Sequence, residues 1–230
     1  MSEFCCEFCK KPFSREALLV NHVCERKRRF LQRDDKSVRL AFAAYQRFYE
    51  RAMRRRTPQT RDNFETSQFY TAFVRFARQL LDADMANPLG FVDFLIQVEA
   101  PLDRWTDVKY SGRYIHERNK NEKPLEAIER NIMLMQEWSV GSGEPWWDFF
   151  RKISPVRATD WIKKGRISPW MLFLATSVPD LLNRLSPEQM AIINEAIGWD
   201  SWGWKFWNNK IALHQAEVDE FRLILQEWKI

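Results

Sequence analysis

All four cysteines of this 230-residue chain lie within its first 24 residues, and no other feature constrains its folding as tightly. Two residues separate Cys6 from Cys9, and twelve separate Cys9 from the run His22, Val23, Cys24. Thiols and an imidazole at such spacings can surround one metal ion. A unit of ~25 residues buries too little apolar surface to fold without that help. Zn2+ is the expected ion. Because Cys5 stands beside Cys6, the ligand set stays open: Cys6, Cys9, His22 and Cys24; the same set with Cys5 in place of Cys6; or another choice of three cysteines with His22. Free thiols on a frayed terminus and a disulfide pair are the competing readings. Residues 1–3 lack the basic start and following apolar run of a secretory signal, which disfavours the disulfide. The expected location is therefore intracellular, cytoplasmic or nuclear, rather than secreted.

Phe13 and Leu19 complete the pattern C-x2-C-x3-F-x5-L-x2-H, which resembles the C2H2-type zinc finger, here with a cysteine as the last ligand. The resemblance covers residues 5–24 and implies a small ββα-like fold in which Phe13 and Leu19 form a miniature core. It also implies a helix starting near Arg15, with Arg15, Leu18 and Asn21 at the base-facing positions. Arg15 suits guanine and Asn21 suits adenine, whereas Leu18 offers no hydrogen bond to a base edge. The sequence departs from the family at the fourth ligand, because only Val23 separates His22 from Cys24. Residues two apart on a helix point to nearly opposite sides. Both can reach one ion only if the helix breaks near His22.

The next segment is strongly basic. Residues 26–61 hold thirteen Lys and Arg against Asp34, Asp35 and Glu50, a net of +10 in a chain of +5 overall. A charge concentrated this way is suited to neutralising phosphates. Arg26, Lys27, Arg28, Arg29, Arg33, Arg54, Arg55 and Arg56, with Arg15 and Asn21, are the candidate nucleic-acid contacts. The competing reading is a solvated helix face. Arg54, Arg55 and Arg56 would also suit a helix C-terminus through the macrodipole, and residues 26–29 resemble a short nuclear-localisation run.

Beyond the arm, hydrophobic residues make up 45% of the chain, enough for one sizeable core or two small ones. No apolar run is long enough for a membrane span, and neither common glycine-rich phosphate loop occurs among the seven glycines. Three- and four-residue apolar spacings predict a mainly α chain: a small N-terminal ββα-like finger, then a multi-helix globular domain. Helices are expected over 37–56, over 65–82 (Phe69, Phe73, Phe76, Leu80), after Asn87-Pro88, and as one long element from Trp207 to Trp228. Ser154-Pro155, Ser168-Pro169 and Ser186-Pro187 read as N-cap plus first-turn pairs. The expected partition is finger 1–25, basic helical arm 26–61 and all-α domain 62–230.

Catalytic signals are weaker. Residues 104–123 read as the least helical stretch of the body, and Tyr114, His116 and Glu117 are its candidate acid–base groups. His116-Glu117 lacks the following x-x-His of the zincin pattern. All eleven tryptophans lie between Trp105 and Trp228; core packing competes with base stacking for them. The leading expectation is a zinc-finger nucleic-acid-binding protein whose finger and arm contact the phosphate backbone, DNA ahead of RNA, with a helical body as interaction platform. The alternatives are a nucleic-acid-modifying enzyme targeted by the finger and an assembly protein whose finger binds a protein partner.

Overall fold

Apolar residues at helical spacing are expressed as helices almost throughout, in a computed structural model that describes residues 4–54 and 56–230, apart from the side chains of residues 199–202 and 204. Among the described residues there are fifteen α-helices and one two-stranded antiparallel sheet. The chain divides into two compact units, Met1–Asp107 and Val108–Ile230.

The first unit contains β1 (Phe4–Cys5), β2 (Pro12–Phe13), α1 (Glu16–Val20), α2 (Glu25–Leu31), α3 (Lys36–Arg47), α4 (Arg61–Thr66), α5 (Tyr70–Asp82) and α6 (Pro88–Gln97). Helix α3 buries Val38, Ala41, Ala44 and Tyr45, and packs on α5, which buries Tyr70, Phe73, Val74, Phe76, Ala77 and Leu80. Small residues at 41 and 44 let the two helices approach, and rings fill the remaining space. Tyr45 lies 5.1 Å from Phe64 and 5.5 Å from Phe73, and Trp105 closes the cluster 5.3 Å from Phe76. Such tilted and edge-on pairs add to the burial term.

The second unit contains α7 (Val108–Asn121), α8 (Pro124–Ser142), α9 (Phe149–Lys152), α10 (Pro155–Lys163), α11 (Pro169–Leu174), α12 (Val178–Leu182), α13 (Pro187–Ala196), α14 (Trp199–Leu213) and α15 (Gln215–Glu227). Each Ser-Pro pair starts a helix as expected: the hydroxyls of Ser154, Ser168 and Ser186 accept from the N–H of Arg157, Trp170 and Gln189, with proline in the first turn. Their core gathers Trp138, Phe149, Trp161, Trp170, Trp207 and Phe221.

Four expected boundaries are corrected. The 37–56 helix is α-helical only to Arg47; a π-helical turn, Phe48–Ala52, follows, and Arg54 takes a left-handed φ of 50°. The wider turn accompanies the seating of Phe48 against both Phe73 and Trp105. Arg54 and Arg56 thus lie beyond the helix end rather than in its last turn. The 65–82 helix is broken where Ser67 turns extended and its hydroxyl accepts from Phe69 N–H. Residues 108–121, expected to be irregular, form α7. Its buried residues are Tyr114 and Asn119, one of them polar, so hydrophobic periodicity could not reveal it. The last long helix is two, because His214 at φ −109°, ψ 30° ends α14 and begins α15. The apolar stripe continues across the break through Trp207, Val218, Phe221 and Leu225, all buried in the unit's own core.

Candidate metal centre and basic surface

Four side chains from two short loops converge at the N-terminus. The antiparallel pairing of Phe4 with Phe13 and Cys5 with Pro12 closes a hairpin whose turn carries Cys6 and Cys9. Cys6 N–H donates to Lys11 O at 3.0 Å, and Lys10 N–H returns to Cys6 O at 2.9 Å with Lys10 in a left-handed conformation. Helix α1 stops at Val20, Asn21 caps it, and residues 22–24 are non-helical. Cys24 is the extended N-cap of α2, its sulfur accepting from Lys27 N–H at 3.4 Å. The required break near His22 is therefore present, and the one-residue gap bridges two helices instead of lying on one.

The donor atoms of Cys6, Cys9, His22 and Cys24 lie within 4.8 Å of one another. Cys6 Sγ is 3.9 Å from Cys24 Sγ, and Cys9 Sγ is 3.2 Å from His22 Nε2. Tetrahedral coordination at ordinary zinc bond lengths puts sulfurs about 3.8 Å apart and sulfur and nitrogen about 3.5 Å apart. The donor set and its spacing fit that ion. Cys5 is exposed and outside the group. The thiols feel the crowding: the Cys9 backbone N–H draws Cys6 below the ordinary thiol range. At Cys9 the Lys11 N–H pulls the same way, but burial and the Cys6 and Cys24 thiols outweigh it and raise the value. Clustered thiolates repel, and a cation at their centre removes that repulsion.

A few local contacts supplement the cluster. Phe13 lies 4.8 Å from the His22 ring and Phe8 lies 5.1 Å from Phe30. Two of the basic candidates take part: Arg26 donates to Phe8 O and Lys27 Nζ to His22 O, both at 3.3 Å. Arg15 and Asn21 are exposed at the two ends of α1, and Asn21 donates to Ala17 O. The helix between them is only five residues long.

The other candidates divide. Arg29 bonds Glu25 and the carbonyls of Glu65 and Ser67, and its guanidinium lies 4.3 Å over the Tyr70 ring. Arg33 pairs with Glu65 at 3.0 Å and lies over Phe30. Outside the candidate set, Arg47 and Arg51 both pair with Asp93. Arg28 is exposed although it pairs with Glu25, and Arg54 and Arg56 are exposed. Arg55 lies outside the described residues. Part of the +10 segment thus serves as internal fastening, while Arg15, Arg26, Arg28, Arg54 and Arg56 face solvent. Sequence reasoning missed Arg75 and Arg78, exposed on α5 on the turn facing Arg28. Their signal was the i, i+3 spacing on the polar side of a helix whose other side is apolar.

Tyr114, His116 and Glu117 occupy neighbouring positions of α7. Tyr114 is buried, while His116 and Glu117 are half-buried. Burial lowers the His116 pKa, against the opposing pull of Glu117. A separation of two on a helix directs Tyr114 and His116 to different sides. His214 is half-buried, with Nδ1 3.2 Å from Glu217. Among the tryptophans, Trp146 packs on Trp228 at 4.8 Å and Trp207 is fully buried, while Trp147 is exposed. The stacking candidates Trp199, Trp202 and Trp204 have side chains outside the described set.

Sequence reasoning also missed a buried ionic cluster in the second unit. Glu122 accepts from Arg130 at 2.8 and 3.0 Å and from the Ser168 hydroxyl, and its backbone carbonyl accepts from Trp170 Nε1 and Lys210 Nζ, both at 2.9 Å. Lys210 also donates to Asn119 O and lies about 5 Å over the Trp170 and Trp207 rings. Desolvation lowers its pKa to about 8, against the pull of Glu122. The unfolded chain therefore keeps this proton to higher pH than the folded one, so stability should rise with pH from about 8 upward. Relative to Lys210→Met, the wild type should gain on the order of 2 kcal/mol between neutral pH and pH ~10. Urea midpoints of both proteins across that range test this, and parallel profiles would refute it.

Among the described residues no helix is long and apolar enough to cross a membrane. No protein-family model, curated protein or solved structure matches the chain.

Proposed function

We propose that the chain binds one zinc ion through Cys6, Cys9, His22 and Cys24, and that the finger so folded holds a nucleic acid by its backbone together with exposed arginines of the same unit. The observation that carries the reading is the convergence of three thiols and one imidazole within 4.8 Å. Those residues come from two separated loops, and the spacing suits tetrahedral zinc. The ion's role is structural: all four positions are filled by protein donors, which leaves no open site for substrate or water. Support for nucleic acid comes from the +10 charge of residues 26–61 and from the exposure of Arg15, Arg26, Arg28, Arg54 and Arg56. With Leu18 exposed where a base-reading finger needs a polar side chain, the contact is to phosphates rather than base edges.

The test is anisotropy of a fluorescent oligonucleotide with the zinc-loaded chain over a salt series. Affinity should fall steeply, by ~0.7–0.9 in log–log slope per phosphate contact. Arg54→Gln/Arg56→Gln should make the slope shallower by about one to two, in line with ~0.7–0.9 for each phosphate no longer neutralised. Binding that is absent, or indifferent to salt, would refute the reading.

A further inference from the structure

Helix α5 separates two concavities in the first unit. On one side Arg28 of α2 and Gln32 just after it face Thr71, Arg75 and Arg78 of α5 across a cleft of about 470 Å³. No acidic side chain lines it. Among the described residues no ion pair engages Arg75 or Arg78, and these two guanidiniums stand opposite Arg28, whose own partner is Glu25. Tyr70 also lines this cleft; it is 4% exposed, and its hydroxyl has no hydrogen-bond partner. That hydroxyl is shut off from solvent, so the attraction of the cleft for an anion comes from its guanidiniums.

On the other side of the helix lies a concavity of about 340 Å³ lined by the half-buried Phe69 and Leu102 over the buried rings of Phe73, Phe76 and Trp105. Arg75 borders both spaces, and Asp103 and Thr106 supply polar atoms at the aromatic one. A basic cleft and an apolar pocket that share an arginine suit a ligand that alternates phosphate with flat rings.

We propose that α5 is a binding ridge for single-stranded nucleic acid, with a phosphodiester held by Arg28, Arg75 and Arg78 and the neighbouring unpaired base seated against Phe69 and Leu102 in the apolar concavity. The inference rests on the nucleic-acid reading above and names the form of ligand. A duplex keeps its bases stacked and cannot fill the second space, whereas any unpaired base has a face to offer an aromatic wall. Recognition would be tolerant of sequence and sensitive to salt.

The experiment uses the full zinc-loaded chain, with a labelled ~12-nucleotide single strand and a duplex of the same length, at about 100 mM salt and above. The wild type should prefer the single strand. Arg75→Gln/Arg78→Gln should weaken single-strand binding at least about tenfold and reduce the log–log slope by ~1.4, at ~0.7 for each phosphate left without its arginine. Arg75→Lys/Arg78→Lys should keep the slope. Ala72→Phe, which fills the aromatic space from an exposed position, should cost about fivefold on the single strand and leave the duplex unchanged. Unaltered circular dichroism would show that the fold is intact. Wild-type affinity in both Arg75→Gln/Arg78→Gln and Ala72→Phe would overturn the ridge while leaving the finger and Arg54/Arg56 contacts standing. A wild type that binds neither oligonucleotide would overturn both readings.

Discussion

Cys24→Ser is expected to abolish zinc binding and unfold residues 4–24, whereas Cys5→Ser should retain one zinc per chain. The segment has almost nothing else to hold it. Its strands are two residues each, α1 buries no residue, and Cys6 is its only buried side chain. Folding free energy at such sites is mostly metal-binding free energy, ~10–16 kcal/mol in comparable peptides. Loss of one of four ligands therefore removes most of the stability available. Metal analysis gives the stoichiometry, and cobalt substitution reports the tetrahedral thiolate field. Amide exchange should show residues 4–24 losing protection on chelation, while α5 keeps the protection of its own aromatic core. Zinc lost in Cys5→Ser but retained in Cys6→Ser would reassign the ligand at the hairpin turn.

Cys24 also shows why the sequence was informative here and less so elsewhere. Metal ligands declare themselves by type and spacing. The apparent fault in the spacing, one residue between His22 and Cys24, was itself informative because it required a helix break that the structure contains. Helix starts were legible for the same reason: Ser-Pro and Asn-Pro pairs carry their chemistry locally. Helix ends and interruptions were not. The π-helical turn at Phe48–Ala52 accompanies ring packing against Phe73 and Trp105, residues distant in sequence. Helix α7 escaped notice because part of what it buries is polar, and hydrophobic spacing does not register a buried asparagine.

The basic segment shows the same limit in electrostatic form. Charge counting gives one block of +10, yet it cannot tell an arginine that meets Glu65 or Asp93 from one that meets solvent. The distinction decides the experiment. Cutting the chain at residue 62 would remove α3, whose Val38, Ala41, Ala44 and Tyr45 are buried, so lost binding would report lost structure. Exposed pairs such as Arg54/Arg56 and Arg75/Arg78 allow charge to be changed without disturbing that packing.

In the second unit, Glu122→Ala should destabilise the fold by ~3–5 kcal/mol, the usual consequence of removing one partner of a buried ion pair. The Glu122 side chain is 5% exposed and faces Arg130 at 2.8 Å and Arg118 at 3.6 Å. Arg130 is held further by the carbonyls of Gly165 and Arg166, and burial has lowered its pKa to about 10. Without the carboxylate, that largely buried guanidinium keeps only partial access to water, and the Ser168 hydroxyl loses its acceptor. Arg130→Met in the Glu122→Ala background should recover part of the loss, because it removes the stranded charge, although it leaves the Arg166 carbonyl without its donor and the Gly165 carbonyl with Arg118 alone. Tryptophan fluorescence in urea is a suitable readout: every tryptophan except Trp105 belongs to this unit, and Trp170 is bonded to the Glu122 carbonyl. Additive effects in the double variant would show that Glu122 and Arg130 are energetically independent despite their proximity, and that the packing of Trp170 and Trp207 carries the stability instead.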